Sequence, residues 1–417
     1  MREMKDSGIP WVGEIPKNWE IMPNKYLMHK VKKICPVYNG ENILSLTIQG
    51  VIIRDFDLGG KMPATFDGYQ IIYPGNLLMC LFDYDVTPRC IGLIKDKGLT
   101  SPAYSQFVMN QGADACYYYY YYLLLDFTKE LLHLAKNLRH SFTEEQLGKI
   151  KVPVPPIEEQ HCISDYLDTK CARIDLIKKN VEAEIEALKQ YKQSVVTEAV
   201  TKGLDKNVEM KNSRIQWIGE IPKHWKTDKF KYHLKRSEPR NPGNQVVLSL
   251  YRDYGIIPKD SRDDNHNVTS EDTSNYKYVQ IGDFVVNKMK AWQGSVAVSN
   301  YEGIVSPAYY VYKFSDYQIY KKYLHYLLRA CYKDEFMRLS GGLRVGQWDL
   351  PADGLGNTYI LIPPYDEQVK IADYLDSKKE RIDSIIQKKQ ELLANLDTYK
   401  KSLIYEYVTG KKEVPAV

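Results

Sequence analysis

The chain says nearly the same thing twice. Trp11-Val12-Gly13-Glu14-Ile15-Pro16-Lys17-Asn18-Trp19 returns as Trp217-Ile218-Gly219-Glu220-Ile221-Pro222-Lys223-His224-Trp225, shifted by 206 positions. Ser101-Pro102-Ala103-Tyr104 returns as Ser306-Pro307-Ala308-Tyr309 at an offset of 205, and Pro155-Pro156-Ile157-Glu158-Glu159-Gln160 as Pro363-Pro364-Tyr365-Asp366-Glu367-Gln368 at 208. Landmarks in one order at nearly one offset define a tandem duplication of about half the chain. At 417 residues the chain exceeds one ordinary core, and the repeat sets the natural count at two lobes. A duplicated protein suits a target that itself has two halves.

Each repeat has two parts. The first, roughly residues 1–155 and 212–362, mixes short β-like runs with turn signals, as in Ile43–Ile48 followed by Gln49-Gly50, and in Gln245–Leu250. A helix is expected in each, near Ala115–Lys136 and Tyr317–Leu339. Tyrosine is the outlier of the composition, with 34 copies and six in a row at Tyr117 to Tyr122. A base-stacking platform is one reading of that run. Core packing is the better one, because the aligned stretch places Tyr320, Tyr323 and Tyr326 at helical spacing.

The second part contains neither proline nor glycine from Ile157 to Thr201 or from Tyr365 to Thr409. Leu167, Ile174, Val181, Leu188 and Val195 recur every seven residues, and Leu375, Ile382, Leu396 and Leu403 keep the same phase, with Lys389 as a defect. Ile163, Ile177, Ile185, Tyr191, Ile385, Leu392 and Tyr399 are expected to fill the stripe. Such heptads with charged flanks predict long helices paired as a coiled coil. Pro155-Pro156 and Pro363-Pro364 mark where the helices begin, Glu158, Glu159, Asp366 and Glu367 load their first turns, and Gly203 and Gly410 close them. At about 45 residues each helix spans ~67 Å, more than one DNA turn of ~34 Å.

The expected architecture is α+β (mixed α/β): two pseudo-twofold-related globules separated by an antiparallel coiled coil. Its parts are a first globule (1–155), a first helix (156–204), a linker and second globule (205–362), a second helix (363–411) and a tail (412–417).

Bulk properties narrow the function. A net charge of +4 argues only weakly for nucleic acid, leaving a local basic surface open. Seven cysteines without a C-x-x-C pair fit reduced thiols in a cytosol, and the absence of an 18-residue apolar run fits a cytoplasmic protein. There is no G-x-x-x-x-G-K-[ST] phosphate loop and no H-E-x-x-H group. Ile362-Pro363-Pro364-Tyr365 is similar to the N-P-P-Y signature of amino-methyltransferases, but isoleucine cannot accept the hydrogen bonds of a target amine. The chain is expected to be non-catalytic and to hold no metal. A two-headed coiled-coil adaptor that binds only proteins stays open at this point.

The duplicated, ordered set resembles the specificity subunit of type I restriction–modification systems over essentially the whole chain. The W-x-G-E-I-P-x-x-W segments resemble the start of each target recognition domain. Gly282–Gly294 with Ser306-Pro307-Ala308-Tyr309 resembles its interior. P-P-x-E/D-E-Q followed by Asp165-Tyr166-Leu167-Asp168 or Asp373-Tyr374-Leu375-Asp376, then Arg173-Ile174-Asp175 or Arg381-Ile382-Asp383, resembles the helical regions. The first copy departs from the interior pattern at Met79–Asp85, which suggests that the globules read different sequences. The resemblance implies a bipartite, asymmetric double-stranded DNA target. It also implies two adenine-methylating modification subunits and two ATP-dependent restriction subunits, with S-adenosylmethionine, ATP and magnesium used in those partners.

Reading DNA needs hydrogen-bonding side chains at base edges and cations at phosphates. The candidates are Arg54, Arg89, Arg139 and His140 in the first globule, and Arg252, Lys288, Lys290, Gln293, Arg344 and Gln347 in the second. Arg139 and Arg344 correspond at the repeat offset. Arg173, Asp175, Arg381 and Asp383 are candidate docking residues for modification subunits, with helix-surface ion pairs as the competing reading.

Overall fold

The computed structural model describes residues 2–57, 63–135, 140–251, 254–262, 269–270, 272–342 and 348–415. The chain divides into two compact units, residues 1–182 with 390–417, and residues 183–389. Each unit holds one globule, part of the long helix Ile157–Lys202 and part of the long helix Tyr365–Val408.

The spine of the first unit is an antiparallel sheet in the order Met28–Val31, Ser105–Met109, Leu77–Met79, Ile91–Leu93. The second unit repeats that order with Leu234–Arg236, Tyr309–Phe314, Phe284–Asn287 and Val296–Val298. Successive strand residues point to opposite faces, and both faces are buried. Phe284, Val286, Tyr310 and Tyr312 pack toward the helices, while Val285 and Val311 pack against Leu248, Leu250 and Ile256 of the hairpin Leu248–Tyr251/Gly255–Pro258. The hairpin Leu44–Thr47/Gly50–Ile53 of the first unit likewise brings Leu44 and Val51 against Leu78.

The tyrosine run lies in the helix Ala115–Thr128 and is core. Tyr117, Tyr118, Tyr120, Tyr121 and Tyr122 are buried, and each hydroxyl has a partner. Tyr117 donates to Val408 O (2.8 Å), Tyr118 to Pro153 O (3.2 Å), Tyr120 to Asp168 (2.6 Å) and Tyr122 to Asn24; Tyr121 accepts from the Trp11 indole (3.1 Å). Burial pushes all five phenols above their ordinary range, so they stay neutral. The helix is shorter than expected because Lys129, at φ 52°, adopts the left-handed conformation and ends it. In the second unit the single helix expected over Tyr317–Leu339 is two, Lys321–Cys331 and Lys333–Leu339, meeting at Tyr332.

The long helices run to 46 and 44 residues, and in both units they pair antiparallel. Asp175 meets Lys400 and Lys178 meets Asp397 in the first unit; in the second, Glu184 meets Lys389 and Lys192 meets Asp383. The seven-residue rows are buried or half-buried as expected, from Leu167 at 0% exposed to Leu188, and from Leu375 to Leu403. Their companions agree with the expectation only in part, with Ile163 and Ile185 buried. Ile177, Tyr191, Ile385, Leu392 and Tyr399 are exposed, and the second row of the seam is Cys171, Lys178, Ile185 and Lys192. Three-four alternation from Leu167 selects that row. Its lysines lay their alkyl stems along the seam and reach a carboxylate at its rim. The break at Lys389 is filled in the same way, by an ion pair to Glu184.

Motifs from the two ends of each half meet at the start of its helix. The fully buried Trp19 donates its indole N–H to Glu159 (2.9 Å), and Trp225 to Glu367 (3.1 Å). Arg2 and His224 add a second donor to those carboxylates. Gln160 and Gln368, both 0% exposed, each donate to the carbonyl of Pro155 or Pro363 and accept from the backbone N–H of Asp114 or Tyr320. Tyr120 and Tyr326 donate to Asp168 and Asp376, the last residues of the two D-Y-L-D motifs. The acidic first turns thus fasten globule to helix, beyond the dipole role that sequence suggested.

One buried group gives the second unit a pH dependence. His325 is mostly buried, and burial followed by the charges of Arg329 and Lys379 holds it near about 3, against the opposing pull of Asp376. Between pH 6.5 and that value the unfolded chain binds a proton that the folded unit refuses, so stability rises with pH across this window. The contribution is present above pH 6.5 and lost on acidification. Lowering the pH from 7 to 5 should reduce the unfolding midpoint in urea, and His325→Gln should flatten that dependence. Equal pH slopes for the two proteins would refute the assignment.

Candidate nucleic-acid interface

In each unit the loop that leaves the second central strand meets a segment some 60 residues further on. In the second unit Lys288 follows the strand Phe284–Asn287 and pairs with Asp349 at 2.9 Å; Leu350 N–H bonds the Lys288 carbonyl at 3.0 Å. Trp292 packs edge-on against Trp348, 5.5 Å between ring centres. Lys290 is exposed and Gln293 half-buried on the same loop. In the first unit His140 pairs with Asp85 at 2.9 Å, and its carbonyl accepts the Tyr84 N–H. In each globule one described candidate therefore meets a carboxylate from a distant segment, Lys288 meeting Asp349 and His140 meeting Asp85.

Arg139, Arg252, Arg344 and Gln347 lie outside the described residues. Arg89 is a correction. Its side chain is 15% exposed, pairs with the buried Asp126 at 3.6 Å and lies over the Phe127 ring. Asp126 also accepts from Lys129 (2.7 Å) and the Cys90 N–H (3.0 Å), so Arg89 helps pin its loop and is not presented to a base. Arg54 follows its hairpin, half-buried, with its N–H bonded to Ile43 O at 2.7 Å. Asp175 and Asp383 pair across the helices with Lys400 and Lys192, at positions related by the repeat, and both carboxylates stay more than half exposed. Arg173 and Arg381 are exposed.

Sequence reasoning missed a cluster beside Lys288. Arg236 forms a fork with Glu238 (2.7 and 2.8 Å) and lies 4.7 Å over the Tyr310 ring; Lys277 bonds Glu238 (2.9 Å) and the Tyr309 carbonyl (2.5 Å). The ion pairs raise Arg236 and Lys288 above their ordinary values. Burial would raise Glu238, but the bonds from Arg236 and Lys277 outweigh it and the net shift is down. Arg236 and Lys277 sit on strands, and the tandem Tyr309-Tyr310 was the available signal.

The sheet registers identify the counterparts in the first unit. Arg236 lies opposite Tyr312 and Lys30 opposite Phe107; Val286 lies opposite Tyr310 and Met79 opposite Ser105. Lys30, paired with Glu144, therefore replaces Arg236, Leu81 replaces Lys288, and Ser105 replaces Tyr310. One scaffold presents two different chemistries.

Among the described residues, no group of three or more His, Cys, Asp or Glu side chains is placed to hold a metal, and no helix is long and apolar enough to cross a membrane. The fold is one scaffold used twice, with different side chains at equivalent positions of the two copies. The profile of the type I restriction modification DNA specificity domain matches residues 94–187 and 207–394, and the chain belongs to that family. The MjaVIII specificity subunit of Methanocaldococcus jannaschii is 28% identical over 284 residues, 64% of this chain and 63% of that protein. The match thus spans under two thirds of that curated relative's length. A chain from a structure of the type I R-M system is similar over 95% of this chain and 99% of its own, at 14% identity and a TM-score of 0.69. The HsdS subunit from Thermoanaerobacter tengcongensis covers 95% and 98%, at 15% identity and a TM-score of 0.53.

Proposed function

We propose that the chain is the sequence-reading subunit of a type I restriction–modification complex. Each globule reads one half of a bipartite, asymmetric double-stranded DNA target, and the paired helices dock two modification and two restriction subunits. The chain itself performs no chemistry; S-adenosylmethionine, ATP and magnesium act in the partners. Arg173 and Arg381, exposed on the long helices, and Asp175 and Asp383, exposed beside their lysine partners, are the docking candidates. The observation that carries this reading is the repetition of one scaffold with different side chains at equivalent positions, Arg236, Lys288 and Tyr310 against Lys30, Leu81 and Ser105. A target with two unlike halves needs that combination.

The test is to map methylated adenines in a host carrying this chain with its modification subunits, then exchange residues 217–350 for another globule of the family. One half of the methylated motif should change while the other stays. A motif altered in both halves, or in neither, would overturn the reading.

A further inference from the structure

The cluster on the second unit has a composition that discriminates between ligands. A site for DNA phosphate is built from cations and neutral donors, and a carboxylate beside them weakens it by repelling the anion. Here Arg236, Lys277 and Lys288 share the space around Tyr310 with Glu238 and Asp349, so most of the positive charge is already balanced. Such a group attracts an added anion weakly.

It suits a neutral acceptor instead. The fork with Glu238 uses Nε and Nη2 of Arg236, and the Nη1 edge of the same guanidinium has no bond among the described residues. The ring of Tyr310 beneath and the carboxylate beside it fix the plane of a side chain that is still 47% exposed. A guanidinium oriented in this way loses little freedom on meeting a planar partner. Guanine presents two acceptors, O6 and N7, on its major-groove edge, and paired donors from Arg or Lys are their usual complement. Lys288, 29% exposed and held by Asp349, supplies a further oriented donor next to it.

Resting on the reading of the chain as a DNA-recognition subunit, we propose that Arg236 and Lys288 read guanine in the half-target assigned to residues 217–350. Glu238, Lys277 and Tyr310 act as positioning residues for Arg236. The first unit has Lys30, Leu81 and Ser105 at the corresponding places and does not read guanine by this device.

The experiment uses the full chain with its modification subunits in a host, with genome-wide adenine methylation as the readout. The half-motif set by residues 217–350 is expected to contain a fixed guanine. Arg236→Gln should cut discrimination at that guanine roughly 10- to 100-fold and leave the other half-motif unchanged. Arg236→Lys keeps the charge but not the fork and should relax the same position, whereas a phosphate contact would tolerate lysine. Lys288→Gln provides an independent arm if Arg236→Gln gives no methylation at all. Relaxation at guanine in either arm supports the assignment. A half-motif without a G·C pair overturns it, as does a uniform loss at all sites that Arg236→Lys restores. Either failure leaves the exchange of residues 217–350 intact, so it is distinguishable from failure of the underlying reading.

Discussion

Trp225→Ala is expected to destabilise the second unit by about 3–5 kcal/mol, and Trp19→Ala the first unit by a similar amount. Both indoles are fully buried, and both stand edge-on to a tyrosine of the neighbouring helix, Trp19 to Tyr117 at 6.4 Å and Trp225 to Tyr323 at 6.5 Å. Removing either ring leaves a cavity at the point where several fastenings converge. Tyr323 donates to Val200 O (3.0 Å) at the end of one long helix, and Glu367 opens the other. The phenylalanine variants keep most of the buried area but lose the pyrrole ring together with its N–H, so an intermediate loss of about 1–3 kcal/mol is expected, since His224 and Arg2 still hold the glutamates. Urea unfolding of the four single variants measures this. A loss below 1 kcal/mol for either alanine variant would mean that the motif does not fasten helix to globule.

Those fastenings also explain which parts of the molecule were legible in the sequence. The repeat, the long helices and their glycine ends depend on local spacing and on residues that keep their meaning out of context. The junction was visible only as a pattern. W-x-G-E-I-P-x-x-W and P-P-x-E/D-E-Q stand more than 130 positions apart, and nothing local says that Trp19 meets Glu159. The seam was half legible for a different reason. Apolar residues were assigned to it by type, but the three-four alternation places Lys178 and Lys192 there and leaves Ile177 and Tyr191 outside. A lysine stem is long enough to act as a hydrophobe.

The interface was the least legible part. Arg89 looked like any loop arginine until Asp126, 37 positions away and 2% exposed, was seen beneath it. Arg236 looked like an ordinary strand residue until Tyr310 and Glu238 closed around it. In both cases a deciding partner, Asp126 or Tyr310, comes from a different helix or strand, and its approach follows from tertiary packing, which the sequence alone did not specify.

The glycines that end the long helices should tolerate substitution unequally, although their sequence roles are the same. Gly203 and Gly410 both adopt the left-handed conformation, at φ 75° and 70°, where a side chain costs about 1–2 kcal/mol. Their surroundings differ. A Cβ on Gly410 would stand 2.4 Å from the Pro16 ring and 2.9 Å from the Trp19 ring; one on Gly203 would stand 2.9 Å from a Glu367 oxygen and 3.3 Å from Trp225. The glutamate can swing aside, at the expense of its bond to the indole, but the proline ring cannot. It belongs to the strand Glu14–Pro16, which pairs with Met4–Asp6, and Ile15 beside it is fully buried. Overpacking against such a fixed neighbour adds about 1–3 kcal/mol. Gly410→Ala is therefore expected to lose about 2–4 kcal/mol and Gly203→Ala about 1–2 kcal/mol, read as urea midpoints on the full chain. Equal losses would show that backbone conformation alone requires these glycines, and that the close approach of Pro16 and Trp19 to the helix end contributes nothing to their selection.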